Sequence, residues 1–119
     1  MNINLYQYRA FVTNVYDGDT ITIEIDLGFN AFLKGEKVRL NRINAPEITG
    51  STREKGLFAR DYLRLLVLEK SIIIETIKDK KEKYGRYLGE LYIKNEDGSW
   101  MNINDHLVEK GFAEYKDYQ

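Results

Sequence analysis

The feature that most constrains the fold of this chain is an alternation of apolar and polar residues that ends at Leu27. The apolar positions are Ile21, Ile23, Ile25 and Leu27. This period of two, sustained over eight residues, predicts a strand with one apolar and one polar face, as in the wall of a sheet or small barrel. A second strand precedes it from Arg9 onwards, so the two form a predicted hairpin.

Further strands and a helix follow this hairpin. The two glycines in "DLGFNAFLKGEK" predict an extended connection, after which Val38 and Leu40 resume the alternation. This third strand changes phase before Ile43, which indicates a bulge or bend. In "LFARDYLRLLVLE" the apolar spacing i, i+4, i+7, i+8 predicts a helix. Its predicted buried face consists of Phe58, Tyr62, Leu65 and Leu66.

The second half of the chain predicts another hairpin and a short helix. "SIIIETI" and "YLGELYI" are predicted strands, joined by the charged turn "KDKKEKYGR". "EDGSW" is a further turn, leading to Met101 and Ile103. The last helix is predicted to begin with Asn104 as its N-cap and to stop at Gly111. Its predicted buried residues are Leu107 and Val108.

This order of elements predicts a mainly β fold with some α-helix. Five short strands, with a helix after the third and a short C-terminal helix, are typical of a Greek-key barrel of the OB type. A chain of 119 residues fits one domain. We expect that domain to span 1–119, with 1–8 and 116–119 as terminal extensions.

Composition excludes several kinds of site and partner. The absence of cysteine excludes disulfides and thiolate metal sites, and a single histidine disfavours zinc. No segment reaches the ~18 apolar residues of a membrane span. The N-terminus shows no signal peptide, so we expect a cytoplasmic chain, or a secreted one whose signal has been removed. Because the net charge is −1, an anionic partner requires local clusters of Arg and Lys.

Two motifs could supply oxygen ligands, although each has a simpler interpretation. "YDGDT" carries an Asp-Gly hairpin signal, and the same turn could project Asp19 towards a divalent cation. In "RINAPE" the only proline of the chain, Pro46, holds the distance from Asn44 to Glu47 nearly fixed. That segment is either a strand end with an exposed glutamate or the edge of a site.

Two further motifs could bind phosphate. Arg39 lies on the polar phase of the third strand, where arginines are usually solvated but where a planar guanidinium can grip a phosphate with two hydrogen bonds. In "KEKYGRYLG" Arg86 follows Tyr84 closely, so an aromatic ring and a cation could hold a base and a phosphate. The simpler interpretation is a solvated hairpin with a tyrosine used for packing.

Taken in order, these motifs resemble the staphylococcal nuclease, or thermonuclease, family. The resemblance rests on "VYDGDTITI", "VRLNRINAPE", "EKGLFARDYL", "KYGRYLGELYI" and "NINDHLVEKGFAEY", and runs from about Arg9 to Tyr115. It implies an OB-fold barrel with helices whose active members hydrolyse DNA and RNA with Ca²⁺. We therefore expect a metal-dependent endonuclease, with single-stranded or frayed nucleic acid as its partner, no membrane association and a monomeric state.

The resemblance also implies roles for individual residues. Arg39 and Arg86 match the arginines that bind the scissile phosphate, and Glu47 matches the glutamate that activates the attacking water. Asp19 matches a carboxylate metal ligand, and the backbone carbonyl of Ala45 is a further expected ligand. The expected contacts to nucleic acid are Tyr84, Lys83 and Arg42.

Asn44 is the main departure from the family pattern. Its position is typically aspartate, a second direct metal ligand, and asparagine keeps a carbonyl oxygen while losing the charge. We therefore expect weaker Ca²⁺ binding and reduced activity, or alternatively a weakly active or inactive OB module that binds nucleic acid or a protein partner. Arg42 also adds a charge where the best-known members carry apolar residues.

Overall fold

A computed structural model describes residues 5–116 of the chain. Its elements are β1 Gln7–Asp17, β2 Thr20–Asp26, β3 Phe32–Leu40, β4 Ile43–Asn44, α1 Arg53–Val67, β5 Ser71–Lys81, β6 Tyr87–Lys94, β7 Trp100–Asn102, α2 Ile103–Glu109 and β8 Glu114–Tyr115. A single 3-10 turn, Gly50–Thr52, leads into α1. Gln7 and Tyr8, which the sequence assigned to a terminal extension, are the first residues of β1. The remaining extension residues 1–4 and 117–119 lie outside the described range.

The strands close into a five-stranded barrel, as predicted. The sheet order is β3-β2-β1-β5-β6-β7, and β3 also pairs in parallel with β6 through Val38–Leu40. That parallel pairing closes the barrel across β1, β2, β3, β5 and β6, which leaves β7 outside it as an edge strand. No helix between residues 5 and 116 is long and apolar enough to cross a bilayer.

The core follows the alternation of β2. Ile21 and Ile23 are fully buried, Ile25 nearly so, and each contributes about 1.5–3 kcal/mol through burial. Leu27, predicted to continue this face, is 42% exposed because β2 ends at Asp26. The apolar face of the strand therefore faces the barrel interior.

The connection between β2 and β3 is shorter than predicted. Leu27 and Ala31 close it through a backbone hydrogen bond of 2.9 Å, and β3 already begins at Phe32. Gly35, assigned by the sequence to the connection, lies inside β3 with φ +71°, near a register shift in the β2–β3 pairing. The second glycine therefore marks an irregularity in the strand, a role that glycine also plays at bulges.

The predicted buried face of α1 was half right, because Tyr62 and Leu66 are half-buried and pack against the core, whereas the other two residues are exposed. Phe58 is 60% exposed and Leu65 is 71% exposed. The residues buried on the helix are Gly56, Ala59, Leu63 and Val67. This face carries small residues where the helix contacts the barrel closely, and a search for large apolar side chains does not detect such a face.

The predicted charged turn of the second hairpin is also shorter, because β5 continues to Lys81. Lys78 and Asp79 both have φ +54°, and the β5–β6 register shifts between Thr76 and Lys81. The turn that remains, residues 82–86, brings Arg86 to the start of β6. The last residues of strand β5 therefore lie directly before the turn that carries Arg86.

Helix α2 begins two residues earlier than its predicted N-cap allows. Asn102 is the N-cap, and its side chain accepts a 2.9 Å hydrogen bond from the backbone N–H of Asp105. Asn104 lies inside the helix and is fully buried; its amide donates to the backbone oxygens of Asn41 and Gly89. The prediction of Asn104 as a cap was therefore wrong, because this side chain ties α2 to β6 and to the end of β3.

Candidate active site

The Asp17–Asp19 turn packs against two other segments. Gly18 connects β1 to β2, and a Cβ atom on it would lie 2.7 Å from the Cβ of Ala45 and 2.8 Å from that of Ala59. The turn was predicted from the Asp-Gly signal, but glycine is required here for space, since Gly18 is not among the positive-φ residues. The close approach fixes Asp19 beside the segment that contains Ala45.

Asp19 is almost completely buried, and both of its carboxylate oxygens have partners. Oδ2 accepts a 2.8 Å hydrogen bond from the backbone N–H of Ala45 and lies 3.2 Å from Nη2 of Arg39. Oδ1 accepts a 3.2 Å hydrogen bond from the Thr20 hydroxyl. A buried carboxylate must be compensated in this way to remain ionised.

Arg39 is held as firmly as Asp19. Its side chain is 8% exposed, and Nη1 donates to the backbone oxygens of Leu40 and Ile43 at 2.9 and 3.1 Å. Nη2 donates to Oδ1 of Asn44 at 3.2 Å, the same distance that separates it from Asp19. Two predicted metal ligands and one predicted phosphate ligand therefore form one cluster, which we call the buried cluster after the buried Asp19 and Arg39; Asn44, at its edge, is exposed.

Asp17 adjoins this cluster. Its Oδ1 accepts a 3.1 Å hydrogen bond from the backbone N–H of Asp19. Burial, followed by the negative charge of Asp19, raises the pKa of the Asp17 carboxyl well above its usual range, and the charge of Arg39 opposes this shift. Two carboxylates therefore flank a single turn.

Arg86 is placed differently. Its Nε and Nη2 donate to the two carboxylate oxygens of Glu82 at 3.0 and 3.1 Å, a bidentate pair within the hairpin. The hydrogen bond to Glu82 is the main cause of the raised pKa of Arg86, and the charges of Asp19 and Asp17 add to it. The guanidinium is therefore within electrostatic reach of both aspartates while its direct partner is Glu82.

Tyr84 and Lys83 lie at the tip of the same hairpin. Tyr84 is 70% exposed, with Nζ of Lys83 5.0 Å and Cζ of Arg86 5.4 Å from its ring centroid. Both distances are within the range of cation–π attraction. The hairpin tip therefore presents an aromatic ring and the Lys83 cation to solvent, with the paired Arg86 beside the ring.

Glu47 follows Pro46 at the surface. Its backbone oxygen accepts a 2.9 Å hydrogen bond from the Thr52 hydroxyl, whereas its carboxylate has no hydrogen bond or ion pair to any residue in the range 5–116. Helix α1 lies against its main chain, since a Cβ on Gly56 would come within 2.2 Å of the Glu47 oxygen. The backbone of Glu47 is thus fixed, while its carboxylate is not tied to any residue in the range 5–116.

With this geometry established, comparison with known proteins identifies the family. A model of the family described as "Staphylococcal nuclease homologue" matches residues 37–119, which is more than half of the chain. The chain belongs to this family. The predicted resemblance is therefore confirmed, and it extends from the sequence motifs to the barrel.

Two relatives of this staphylococcal nuclease homologue share 30% and 26% sequence identity with it. An uncharacterized protein of Methanocaldococcus jannaschii is 30% identical, over 89% of this chain and 58% of its own length. A protein named thermonuclease from Staphylococcus hyicus is 26% identical, over 99% of this chain and 64% of its own length. The chain thus spans about three fifths of each relative.

The donors of the buried cluster suit a hard cation in type but are few. Among residues 5–116 no group of three or more His, Cys, Asp or Glu side chains is arranged to hold a metal. Asp19 and Asn44 offer oxygens, the donors that Ca²⁺ prefers, and both now face the same guanidinium nitrogen of Arg39. The cluster therefore offers oxygen donors of the type that a hard cation takes, with less negative charge than two carboxylates would give.

Arg42, expected to contact nucleic acid, is occupied elsewhere. Its guanidinium donates to both oxygens of the buried Glu90, at 2.6 and 3.1 Å, and to Asp105 at 2.9 Å. Its backbone adopts φ +67°, and its carbonyl accepts from the Lys116 N–H at 2.7 Å. Arg42 therefore ties β6 and α2 to the segment that leads into Asn44.

Sequence reasoning missed Glu82 and Gly56. Glu82 precedes Arg86 by four residues in a short turn, and this opposite-charge spacing was a usable signal. Gly56 stands inside a predicted helix, where an isolated glycine often has a packing reason. Both act on predicted site residues, Glu82 on Arg86 and Gly56 on Glu47.

Proposed function

We propose that this protein is a Ca²⁺-dependent endonuclease that hydrolyses phosphodiester bonds of DNA, RNA or both. The observation that carries this proposal is the buried cluster, in which Nη2 of Arg39 lies 3.2 Å from oxygens of both Asp19 and Asn44. Arg86, within electrostatic reach of Asp19, adds a second guanidinium. Family membership and the thermonuclease relative support the same chemistry.

The two arginines would neutralise charge in the transition state. A phosphodiester is already an anion, and attack by water places more negative charge on the non-bridging oxygens. Preorganised donors in a site that excludes water are worth about 3–4 kcal/mol each. Arg39 is preorganised by its contacts with Asp19, Asn44 and two backbone oxygens, and Arg86 would exchange part of its pairing with Glu82 for the phosphate.

Glu47 would act as the general base. As the water oxygen bonds to phosphorus, the Glu47 carboxylate would take the water proton. The bond from phosphorus to the leaving oxygen would break, and that oxygen would take up a proton from solvent. The carboxylate lies on the surface with no hydrogen bond or ion pair in the described part of the chain, residues 5–116, so it is available for that proton. Pro46 and the contact of Gly56 with the Glu47 backbone would keep it in place.

Asp19, the amide oxygen of Asn44 and the backbone carbonyl of Ala45 would hold the metal ion. When bound, Ca²⁺ supplies positive charge to the phosphate and helps to orient it. Binding would require Arg39 to share or release the oxygens that it now contacts. We therefore expect Ca²⁺ to bind weakly.

The exposed hairpin tip favours a single-stranded or frayed substrate. Bases that are not stacked in a duplex can lie against an aromatic ring such as that of Tyr84, and Lys83 adds a cation for the backbone. A paired base has both faces covered by its neighbours. The exposure of Tyr84, 70% of the residue, supports this substrate class.

A second candidate function is a nucleic-acid-binding module with little or no hydrolytic activity. Asn44 favours it, because the amide lacks the charge of the usual aspartate and already accepts a hydrogen bond from Arg39. In that case the arginines would bind phosphate without cleaving it. The two functions share a ligand and differ in turnover.

Incubation with single-stranded DNA and RNA at several Ca²⁺ concentrations decides between them. EDTA and the Arg86→Ala variant serve as controls, and we expect that variant to lose about 10²–10³-fold in rate. Cleavage by the wild type above both controls supports the endonuclease. Absence of cleavage beyond the controls, even at millimolar Ca²⁺, would rule it out in favour of the binding module.

A further inference from the structure

The polar face of β1, β2 and β3 carries a row of side chains with no part in the proposed reaction. Asn14 pairs with Thr22 across β1 and β2, and Thr22 pairs with Lys37 across β2 and β3. The next pair along β2 and β3 is Thr20 with Arg39. Since residues two apart on a strand share a face, Lys37 lies beside Arg39, about 6.6 Å further along β3.

Most of these side chains line an open groove that extends to the proposed site. Its volume is about 280 Å³, and Asn14, Tyr16, Thr22 and Lys37 line it together with Asp17 and Arg86 at one side. We call it the flanking groove. The larger cavity, of about 640 Å³, lies along the opposite end of β1, at Gln7–Arg9, and is separate from the buried cluster.

The groove contains polar groups without partners in the described chain. Within residues 5–116, Lys37 forms no ion pair, whereas Lys34 and Glu36 on the same strand each have an oppositely charged partner. The side chains of Asn14 and Thr22 likewise make no hydrogen bond to any residue in 5–116. These donors and the Lys37 charge are therefore available to a ligand.

Tyr16 adds an aromatic surface at the edge of the groove. It lies at a register shift between Val15 and Asp17, where β1 has one residue more than β2, and its side chain is 57% exposed. Asp17 is the acidic group of the groove, and it lies where Arg39 and Arg86 offset its charge. A cation, neutral donors and an exposed ring match the chemistry of a nucleotide.

We propose that the flanking groove binds the nucleotide next to the scissile phosphate of a single-stranded nucleic acid. Lys37 would hold the adjacent phosphate, Tyr16 would stack on its base, and Asn14 and Thr22 would donate to phosphate or sugar oxygens. The proposal rests on the proposed function only for placing the scissile phosphate at Arg39. It extends the substrate path from the hairpin tip across the barrel face.

Binding of a fluorescent single-stranded oligonucleotide, measured by anisotropy in EDTA over a range of salt concentrations, tests this groove without cleavage. Lys37→Gln should lower the slope of log affinity against log salt by about 0.7, the value for one lost phosphate contact. Tyr16→Ala should weaken binding about 5- to 100-fold, as expected for one lost stacked base. Lys110→Gln, an equal charge change on an exposed residue after α2, should leave the slope unchanged.

A groove variant that binds like Lys110→Gln would overturn the proposal, as would a wild type that does not bind the oligonucleotide. Both variants should cleave a dinucleotide, which has no flanking unit, at the wild-type rate, and this also shows that they fold. If the wild type cleaves but Lys37→Gln binds the oligonucleotide normally, the groove proposal is rejected and the proposed endonuclease function is kept. If the wild type binds through Lys37 but never cleaves, the endonuclease function is rejected and the groove proposal is kept.

Discussion

Arg39 and Arg86, the two arginines of the proposed site, are held in opposite ways. Arg39 is 8% exposed and contacts Asp19, Asn44 and backbone oxygens, so several segments of the fold meet at its guanidinium. Arg86 is 24% exposed, and its ion pair is with Glu82, four residues earlier in the same turn. One arginine is integrated into the fold and the other belongs to a local hairpin.

This difference separates stability from activity. Removing a partner of a buried ion pair leaves an uncompensated charge, whereas removing a partner of a surface pair exposes it to water. Both arginines should matter for catalysis, but only Arg39 should matter greatly for folding. Four predictions test this comparison, in decreasing order of expected effect.

The largest expected effect is on stability, from Arg39→Ala compared with Arg86→Ala. We expect Arg39→Ala to lower the free energy of unfolding by about 3–5 kcal/mol, because Asp19 is then buried without its cation. Arg86→Ala should cost less than ~1 kcal/mol, since Glu82 becomes solvated. Urea denaturation followed by circular dichroism measures both values. Equal losses would mean that the two arginines are not held differently.

The next effect comes from a matched pair of glycines, one in each region. Gly56→Ala would place a Cβ 2.2 Å from the backbone oxygen of Glu47, and overpacking of this kind costs about 1–3 kcal/mol or more. Gly85, in the hairpin turn, has φ +81°, and a Cβ added to it would have no heavy atom within 4 Å, so Gly85→Ala should cost about 1 kcal/mol from backbone strain.

Cleavage assays add a second measurement to this pair. Gly56→Ala should also reduce the rate, because the Glu47 main chain must move, and thermal unfolding of the same samples separates this loss from unfolding. A Gly56→Ala protein as stable and active as the Gly85→Ala protein would show that α1 does not fix Glu47.

The sequence predicted those features that are encoded locally. The alternation of β2, the Asp17–Asp19 turn and both arginines are visible in short stretches, because strand period, turn residues and charges need no distant partner. The closure of the barrel came from the order of elements together with the family resemblance. In the same way, the short sequence spacing of Glu82 and Arg86 made their contact predictable in principle.

Contacts between distant segments could not be predicted in this way. Asp19 and Ala45 are 26 residues apart, and Arg42 and Glu90 are 48 apart, so no local pattern pairs them. Arg42 was expected at the nucleic acid, yet its guanidinium faces two carboxylates of other elements. The packed face of α1 was missed because Gly56 contributes no apolar area. Its function is the absence of a side chain, which hydrophobic periodicity does not detect.

Asn44→Asp tests the chemistry of the buried cluster. The change adds a carboxylate 3.2 Å from Arg39, and Ca²⁺ sites gain affinity with the number of charged ligands. We expect Ca²⁺ to bind about tenfold more tightly, a gain of ~1.4 kcal/mol, which titration calorimetry measures directly. Arg86→Ala serves as the control, because it changes the hairpin and leaves residue 44 as it is. No gain for Asn44→Asp would mean that residue 44 is outside the ligand shell.

Glu82→Gln should have the smallest effect, and its pH dependence is specific. The hydrogen bond from Arg86 lowers the pKa of Glu82, so the pair stabilises the fold at neutral pH and this contribution is lost as pH falls through the depressed pKa. We expect Glu82→Gln to cost about 0.2–1 kcal/mol at pH 7, with the difference from wild type shrinking as pH falls below the ordinary glutamate pKa of about 4.3 and through the depressed pKa. Urea denaturation at pH 7 and at a series of acidic pH values measures it. A loss as large as that of Arg39→Ala would show that the hairpin is as integrated as the buried cluster.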